Sequence, residues 1–263
     1  MLNSEFEYLR PFEENDLVRL GKKNDGGYII SKKSLDNDCC LLTFGMYNDW
    51  SFEEDFVKYK KSNFVHIYDH TVELSFFIYR LYKSIKRLLY FKSSLSNVKD
   101  KLKELIKYIK LPKSKITHFK YRISNEASPL NKSLSDTINR TSHNGKIMLK
   151  IDIEGDEFKI LDDINFYSEK IHTLIVEFHN LDINLNKFEK LIKEINNKFY
   201  IIHIHANNNT GLGTNSLPKT LEITLLNYNI FFKNNKRINK KFPIKDLDYP
   251  NNPFKKDIEI IFK

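Results

Sequence analysis

Seven short apolar runs recur along the middle of the chain, separated by stretches with helical spacing, and this alternation limits the fold more than any other feature. The runs are Cys40–Met46, Phe64–Asp69, His118–Ser124, Lys146–Ile153, Thr173–His179, Tyr200–Ala206 and Leu221–Leu226. Most are almost uninterrupted in apolar residues, the pattern of strands whose two faces are both covered. Strands alternating with helices predict an α/β protein built on a parallel sheet. Helices are expected over Ser51–Lys61, Ser133–Asn139, Glu157–Ile164 and Asn186–Asn197. A chain of 263 residues suits one domain, 1–263, with a sizeable core.

The gap between the second and third strands is long. Its 74–110 stretch shows two helical periods around Ser93–Asn97, one through Phe77, Leu81, Ile85, Leu88 and Leu89, the other through Val98, Leu102, Leu105 and Ile109. Residues 74–116 are read as a helical insertion, and 229–263, rich in Lys and Asn, as a peripheral C-terminal extension. Charge concentrates in the insertion. Fourteen basic residues face two acids between Arg80 and Arg122, more surplus than the +9 of the whole chain. Such a patch suits a nucleotide diphosphate, a lipid surface or nucleic acid, or is a solvated lysine-rich face. Zinc-finger, RNP-like and basic-zipper signatures are absent, so nucleic acid is not the expected partner. The apolar helix faces leave open packing within the chain or a homo-oligomer.

Composition removes further classes. No run approaches the roughly 18 apolar residues of a membrane span. The 20 Phe and 14 Tyr argue against disorder. The start, MLNSEFEYLRPFEEND, lacks the pattern of a secretory signal. Cys39 and Cys40 are adjacent, excluding a disulfide-built fold and pointing to a reducing, cytoplasmic setting.

In parallel sheets, ligands gather at the carboxyl ends of strands. The first run ends at Gly45-Met46, where glycine allows close backbone approach. The second ends at Asp69, suited to ribose hydroxyls or to a helix N-cap. Asn24-Asp25-Gly26-Gly27 reads as a turn within a hairpin or beside a ligand. The fourth run ends in Asp152 and Glu154, which an extended backbone places on one face. The fifth ends Glu177-Phe178-His179-Asn180, and the sixth His203-Ile204-His205-Ala206-Asn207. Together these ends offer a mixed O/N site for a divalent cation (Mg or Mn), or a metal-free general base.

The segments NDGGYII, LLTFGMYNDWSFE, VHIYD, LKIDIEGDEFKIL, LIVEFHN and LPKTLEITLL resemble class I S-adenosylmethionine-dependent methyltransferases, most of all the FkbM-like group that modifies sugars and small hydroxylated metabolites. The resemblance spans roughly residues 17–228, without the insertion. It implies a Rossmann-like seven-stranded sheet of order 3-2-1-4-5-7-6 with the last strand antiparallel. It implies S-adenosylmethionine as cofactor, with Gly45 and Met46 at its methionine moiety and Asp69 at the ribose. His70 falls beside the adenine, and Asn24, Asp25, Gly26, Gly27 and Glu53 near the amino-acid end. It places a metal ligand or base at Asp152, with His179 or Asn180 after the fifth strand as further ligand. Asp152, Glu154 and His179 are then the catalytic candidates, and Asp152, His179 and His205 the metal candidates. The expected reaction is O-methylation of a sugar hydroxyl, on a nucleotide-activated sugar or a surface (capsular or lipopolysaccharide) glycan. The alternatives are another small-molecule acceptor and a non-catalytic module docking through its basic helices. The tetrapeptide of base-amino methyltransferases, (D/N)PP(Y/F), is missing; Asp152-Ile153-Glu154-Gly155 stands there.

Overall fold

The structure is a computed structural model that describes residues 4–36, 38–59, 64–111, 115–126, 128–141, 145–213, 216–231, 236–238 and 241–262, with the backbone alone at 163. In chain order the elements begin with a hairpin, β1 (Leu17–Leu20) and β2 (Tyr28–Ser31), and a single helical turn, α1 (Lys33–Asp36). Next come β3 (Cys39–Phe44), α2 (Ser51–Tyr59), β4 (Val65–Tyr68), the long helices α3 (Leu74–Leu89) and α4 (Leu95–Lys110), and β5 (Ile116–Phe119). A small pair, β6 (Arg122–Ile123) and β7 (Asn131–Lys132), precedes α5 (Leu134–Arg140) and β8 (Lys146–Ile151). The chain ends its regular structure with α6 (Glu157–Ile160), β9 (Ile171–Phe178), α7 (Leu181–Ile195), β10 (Phe199–Ala206) and β11 (Leu221–Asn227).

Seven of these strands form one sheet, in the order β5-β4-β3-β8-β9-β11-β10. All neighbours are parallel except β11, which runs antiparallel between β9 and β10. Numbered within the sheet, this is 3-2-1-4-5-7-6, the Rossmann-like methyltransferase arrangement. Both faces of the central strand are buried. Cys40, Leu42 and Phe44 enter a core with Leu9, Ile138 and Phe188, while Cys39 and Leu41 enter another with Trp50, Phe52 and Phe56. That division explains the unbroken apolar run: a strand with no solvent face has no polar positions to alternate.

Element boundaries differ from the sequence reading where side chains gave mixed signals. The run at His118–Ser124 is two strands. β5 closes the sheet edge and, after Lys120 and Tyr121, β6 leaves to pair with β7. α7 begins at Leu181 rather than Asn186, through a non-helical Asn184. The helix expected to run to Ile164 is one turn of α-helix continued by a 3₁₀ stretch, Leu161–Tyr167. Lys60 and Lys61, the expected end of the helix after Ser51, lie outside the described residues. The insertion is a helical hairpin whose break falls at 90–94, with Ser94 capping α4 by accepting from Asn97 N at 3.2 Å. The C-terminal residues are built into the core: Phe242, Ile260 and Phe262 pack with the main cluster.

The register aligns the strand ends that matter. Phe44 sits opposite Tyr68 and Ile151, and Leu221 opposite Phe178 and Ala206. Gly45, Asp69, Asp152, His179, Asn207 and Thr220 therefore emerge at one edge of the sheet.

Candidate active site

That edge carries a cleft of about 710 Å³. Pockets for small ligands run from about 300 to 1,000 Å³. One wall is the turn after β3. Gly45 has φ +88°, and a Cβ there would lie 1.7 Å from the Asp152 carbonyl oxygen. Only glycine lets the β3 and β8 ends close up this tightly. The next residues are held from beneath by Asp69: its Oδ2 accepts from Met46 N and Tyr47 N, each at 2.9 Å. Its Oδ1 accepts from Thr71 N at 2.8 Å and Thr71 Oγ1 at 2.6 Å. These bonds hold the Asp69 carboxyl below its ordinary range against the opposing pull of burial. A carboxylate has about four lone-pair sites. All are engaged here within the protein, so Asp69 does not stand free but braces the loop. Nor does it cap a helix, since the N-cap of α3 is Glu73.

The opposite wall is acidic. Asp152 follows β8, and the Tyr28 hydroxyl lies 3.1 Å from both Asp152 Oδ2 and Glu177 Oε2. One phenolic proton can serve only one of them. Glu177 also accepts from Asn207 Nδ2 at 2.8 Å. Burial, then the field of Asp152, pushes the Glu177 carboxyl well above its ordinary range. Burial likewise lifts Asp152, to about 6, with Lys150 and His179 opposing. Two carboxyls this close do not both ionise freely, and they titrate as a pair.

His179 faces this pair. Its Nδ1 lies 2.5 Å from Glu157 Oε1 at the start of α6. Its Nε2 points into the cleft, 3.9 Å from Asp152 Oδ1, 3.6 Å from Glu154 Oε2 and 3.7 Å from Glu177 Oε1. Burial would lower its pKa, but Glu157 and Glu177 raise it to about 9. Ligand atoms of Asp152, Glu154 and His179 all lie within 4.8 Å of one another. The backbone is unusual at the same places: Tyr47, Glu154 and Asn180 are non-glycine residues with positive φ, one just past each of β3, β8 and β9. Such conformations cost energy and concentrate at ligand sites.

The sequence candidates divide clearly. Asp25, Gly26, Gly45, Met46, Asp69, His70, Asp152, Glu154 and His179 line the cleft. Asn24 does not: its Nδ2 donates to the Pro250 carbonyl at 2.8 Å. Gly27 packs beneath Arg19 in the β1–β2 turn, the hairpin reading of that segment. Glu53 lies buried behind the wall and binds Lys150 Nζ at 3.2 Å; Lys150 itself reaches the cleft. His205 is displaced from the proposed ligand set, because Glu222 and Asp257 hold its two ring nitrogens at 3.3 and 3.2 Å. Tyr28, Glu157 and Glu177 were not assigned roles from sequence, although Tyr28 closes the NDGGY turn, Glu157 ends the KIDIEGDE segment and Glu177 precedes His179.

The strand order and the strand-end cleft together define a Rossmann-like methyltransferase fold. No family model matches the chain, and no curated protein matches it. Solved structures with some likeness include a fibrillarin/Nop5p complex, 10% identical over 72% of each chain with a TM-score of 0.38. Others are a precorrin-6y C5,15-methyltransferase from Geobacter metallireducens (10% identity, 74% of this chain and 84% of that one, TM-score 0.37) and M. capricolum TrmK with S-adenosylhomocysteine (13%, 79% and 70%, 0.36).

Proposed function

We propose that the chain is an S-adenosylmethionine-dependent O-methyltransferase acting on a hydroxyl of a sugar or similar polyol. One observation carries this reading: a glycine-gated, Asp69-braced loop faces the Asp152 carboxyl and the His179 imidazole across one strand-end cleft. The fit to the cofactor rests on Gly45, where any side chain would strike backbone, and on a cleft roomy enough for a nucleoside and a small acceptor. The adenosyl group would lie along Gly45–Tyr47 and His70, with Lys150, Asp25 and Gly26 at its amino-acid end. The bound cofactor supplies an electrophilic methyl on a sulfonium.

The chain's own residues supply the rest. An alcohol is a weak nucleophile at neutral pH and needs a base whose pKa lies near the working pH. Asp152, lifted to about 6 by burial, meets that requirement. Glu177, held by Asn207, shares the Tyr28 hydroxyl with Asp152, and Tyr28 fixes the orientation of the pair. His179, anchored by Glu157, presents Nε2–H to an acceptor oxygen. Holding donor and acceptor in line supplies much of the acceleration.

A second reading keeps these residues and adds a divalent cation. Asp152, Glu154 and neutral His179 form an O,O,N donor set, and Glu157 is placed to orient the imidazole in the way that supports metal ligands. A cation there would lower the acceptor's pKa.

The experiment is calorimetry with S-adenosylmethionine, paired with transfer assays on sugar acceptors with and without EDTA. Asp152→Asn should lower transfer by about 10²–10⁴-fold with cofactor affinity retained. Wild-type transfer should rise as pH passes through about 6, where Asp152 deprotonates. Unchanged turnover in Asp152→Asn would remove this residue from the mechanism. Loss of activity in EDTA would select the metal reading.

A further inference from the structure

The helical hairpin α3–α4 takes no part in the site chemistry derived above, yet it is the most unusual surface of the molecule. It is tied to the body only near its base. Phe77 stacks on Tyr108 at 4.5 Å and packs edge-on to Trp50, while Lys107 pairs with Glu54 at 2.8 Å. Beyond Arg80 the buried residues cease, apart from Ser84, and α4 has none. The far half therefore projects. It does not carry the polar surface expected of a projecting hairpin. Leu89 is 72% exposed and Phe91 98% exposed, with Tyr90 and Leu95 beside them. Monomeric proteins rarely gather large apolar side chains at a tip unless the tip meets something.

The charges near that tip are unspent. Lys83, Lys86, Arg87 and Lys92 form no ion pair among the described residues, whereas Arg80, Lys101, Lys103 and Lys107 all do. All four line an open groove along α3 and just past its end, together with Tyr79, Tyr82 and Tyr90.

We propose that the tip of the α3–α4 hairpin docks on an anionic lipid bilayer, with Leu89, Phe91 and Leu95 entering the headgroup boundary and Lys83, Lys86, Arg87 and Lys92 meeting lipid phosphates. Apolar side chains flanked by cations and tyrosines are what an interfacial element requires. The other occupants fit less well. A second copy would bring like-charged tips together, at electrostatic cost. Nucleic acid would account for the cations and the tyrosines but not for exposed Leu89 and Leu95, which offer bases nothing to stack on. The hairpin leaves the sheet directly after Asp69–Thr71 at the cleft rim, and Arg80 lies over the Tyr47 ring at 5.4 Å, so docking would hold the cleft at a fixed height above the bilayer. This inference does not depend on the methyl-transfer reading.

The test is co-sedimentation of the full chain with vesicles of phosphatidylcholine alone or with 30% phosphatidylglycerol (about one lipid in three, a common anionic content). Binding to the anionic vesicles should exceed binding to neutral ones at least about tenfold and weaken in high salt. The double variant Leu89→Ser/Phe91→Ser and the quadruple Lys83→Gln/Lys86→Gln/Arg87→Gln/Lys92→Gln should each lose most of it. Both should keep the wild-type melting temperature, since every changed side chain is exposed. Absence of vesicle binding by the wild type overturns the proposal. So does binding that survives both variants, a concentration-dependent dimer abolished by Leu89→Ser/Phe91→Ser, or salt-sensitive RNA binding without vesicle binding.

Discussion

Gly45 has no room for a side chain. A Cβ there meets the Asp152 carbonyl at 1.7 Å, and φ is +88°. Left-handed backbone alone costs an L-residue about 1–2 kcal/mol, and the clash adds to it. Gly45→Ala should therefore lower unfolding free energy by at least about 2 kcal/mol and abolish cofactor binding, measured by denaturant melts and calorimetry. His205 makes a different kind of claim. Burial would lower its pKa, yet Asp257 and Glu222 raise it to about 10. The folded value lies above the ordinary histidine value of about 6.5. Its charge therefore stabilises the fold fully below about pH 6.5, and that contribution drains away as pH rises toward 10. His205→Gln should cost about 3–5 kcal/mol at pH 6 and clearly less at pH 10, and parallel urea melts at the two values would show it. The sequence offered His205 as a metal candidate because its strand position is right. It could not show that Asp257, 52 residues later, arrives first.

Elements were legible where burial is uniform. β3, β8, β9, β10 and β11 each appear as apolar runs displaced by at most two residues at either end, because two covered faces leave no polar break inside them. The β1–β2 hairpin was only half visible. Its strands have four residues each, too few for a period, and its turn residues suited a ligand equally well. His118–Ser124 misled because its alternation continues across Lys120 and Tyr121 while its hydrogen bonding changes partner. The insertion's two helical periods were plain, and the packing of its base now has a testable core. Phe77 is buried between Trp50 and Tyr108. Phe77→Ala should destabilise the protein by about 3–5 kcal/mol and raise amide exchange in α3 and α4 above that of the sheet.

Over the whole molecule, sheet order and cleft follow from strand polarity. Six parallel strands end at one edge, and the antiparallel β11 begins there. The acidic and imidazole groups collected at that edge were readable one by one. Their partners were not: Tyr28 reaches Asp152 and Glu177 from 124 and 149 residues away, a contact no local pattern announces. The C-terminal residues show the same limit, since Asp248 and Asp257 bury His203 and His205 while Phe242 and Ile260 complete the core. Among the described residues no helix is long and apolar enough to cross a membrane. In the proposed function one cleft holds the cofactor between the Gly45 turn and the Asp152–His179 wall. A crystal structure with S-adenosylhomocysteine tests it most directly. The nucleoside should lie along Gly45–Tyr47 and His70, with the sulfur turned toward Asp152. Density for the nucleoside at any other site, or an unaltered cleft at saturating ligand, would contradict it.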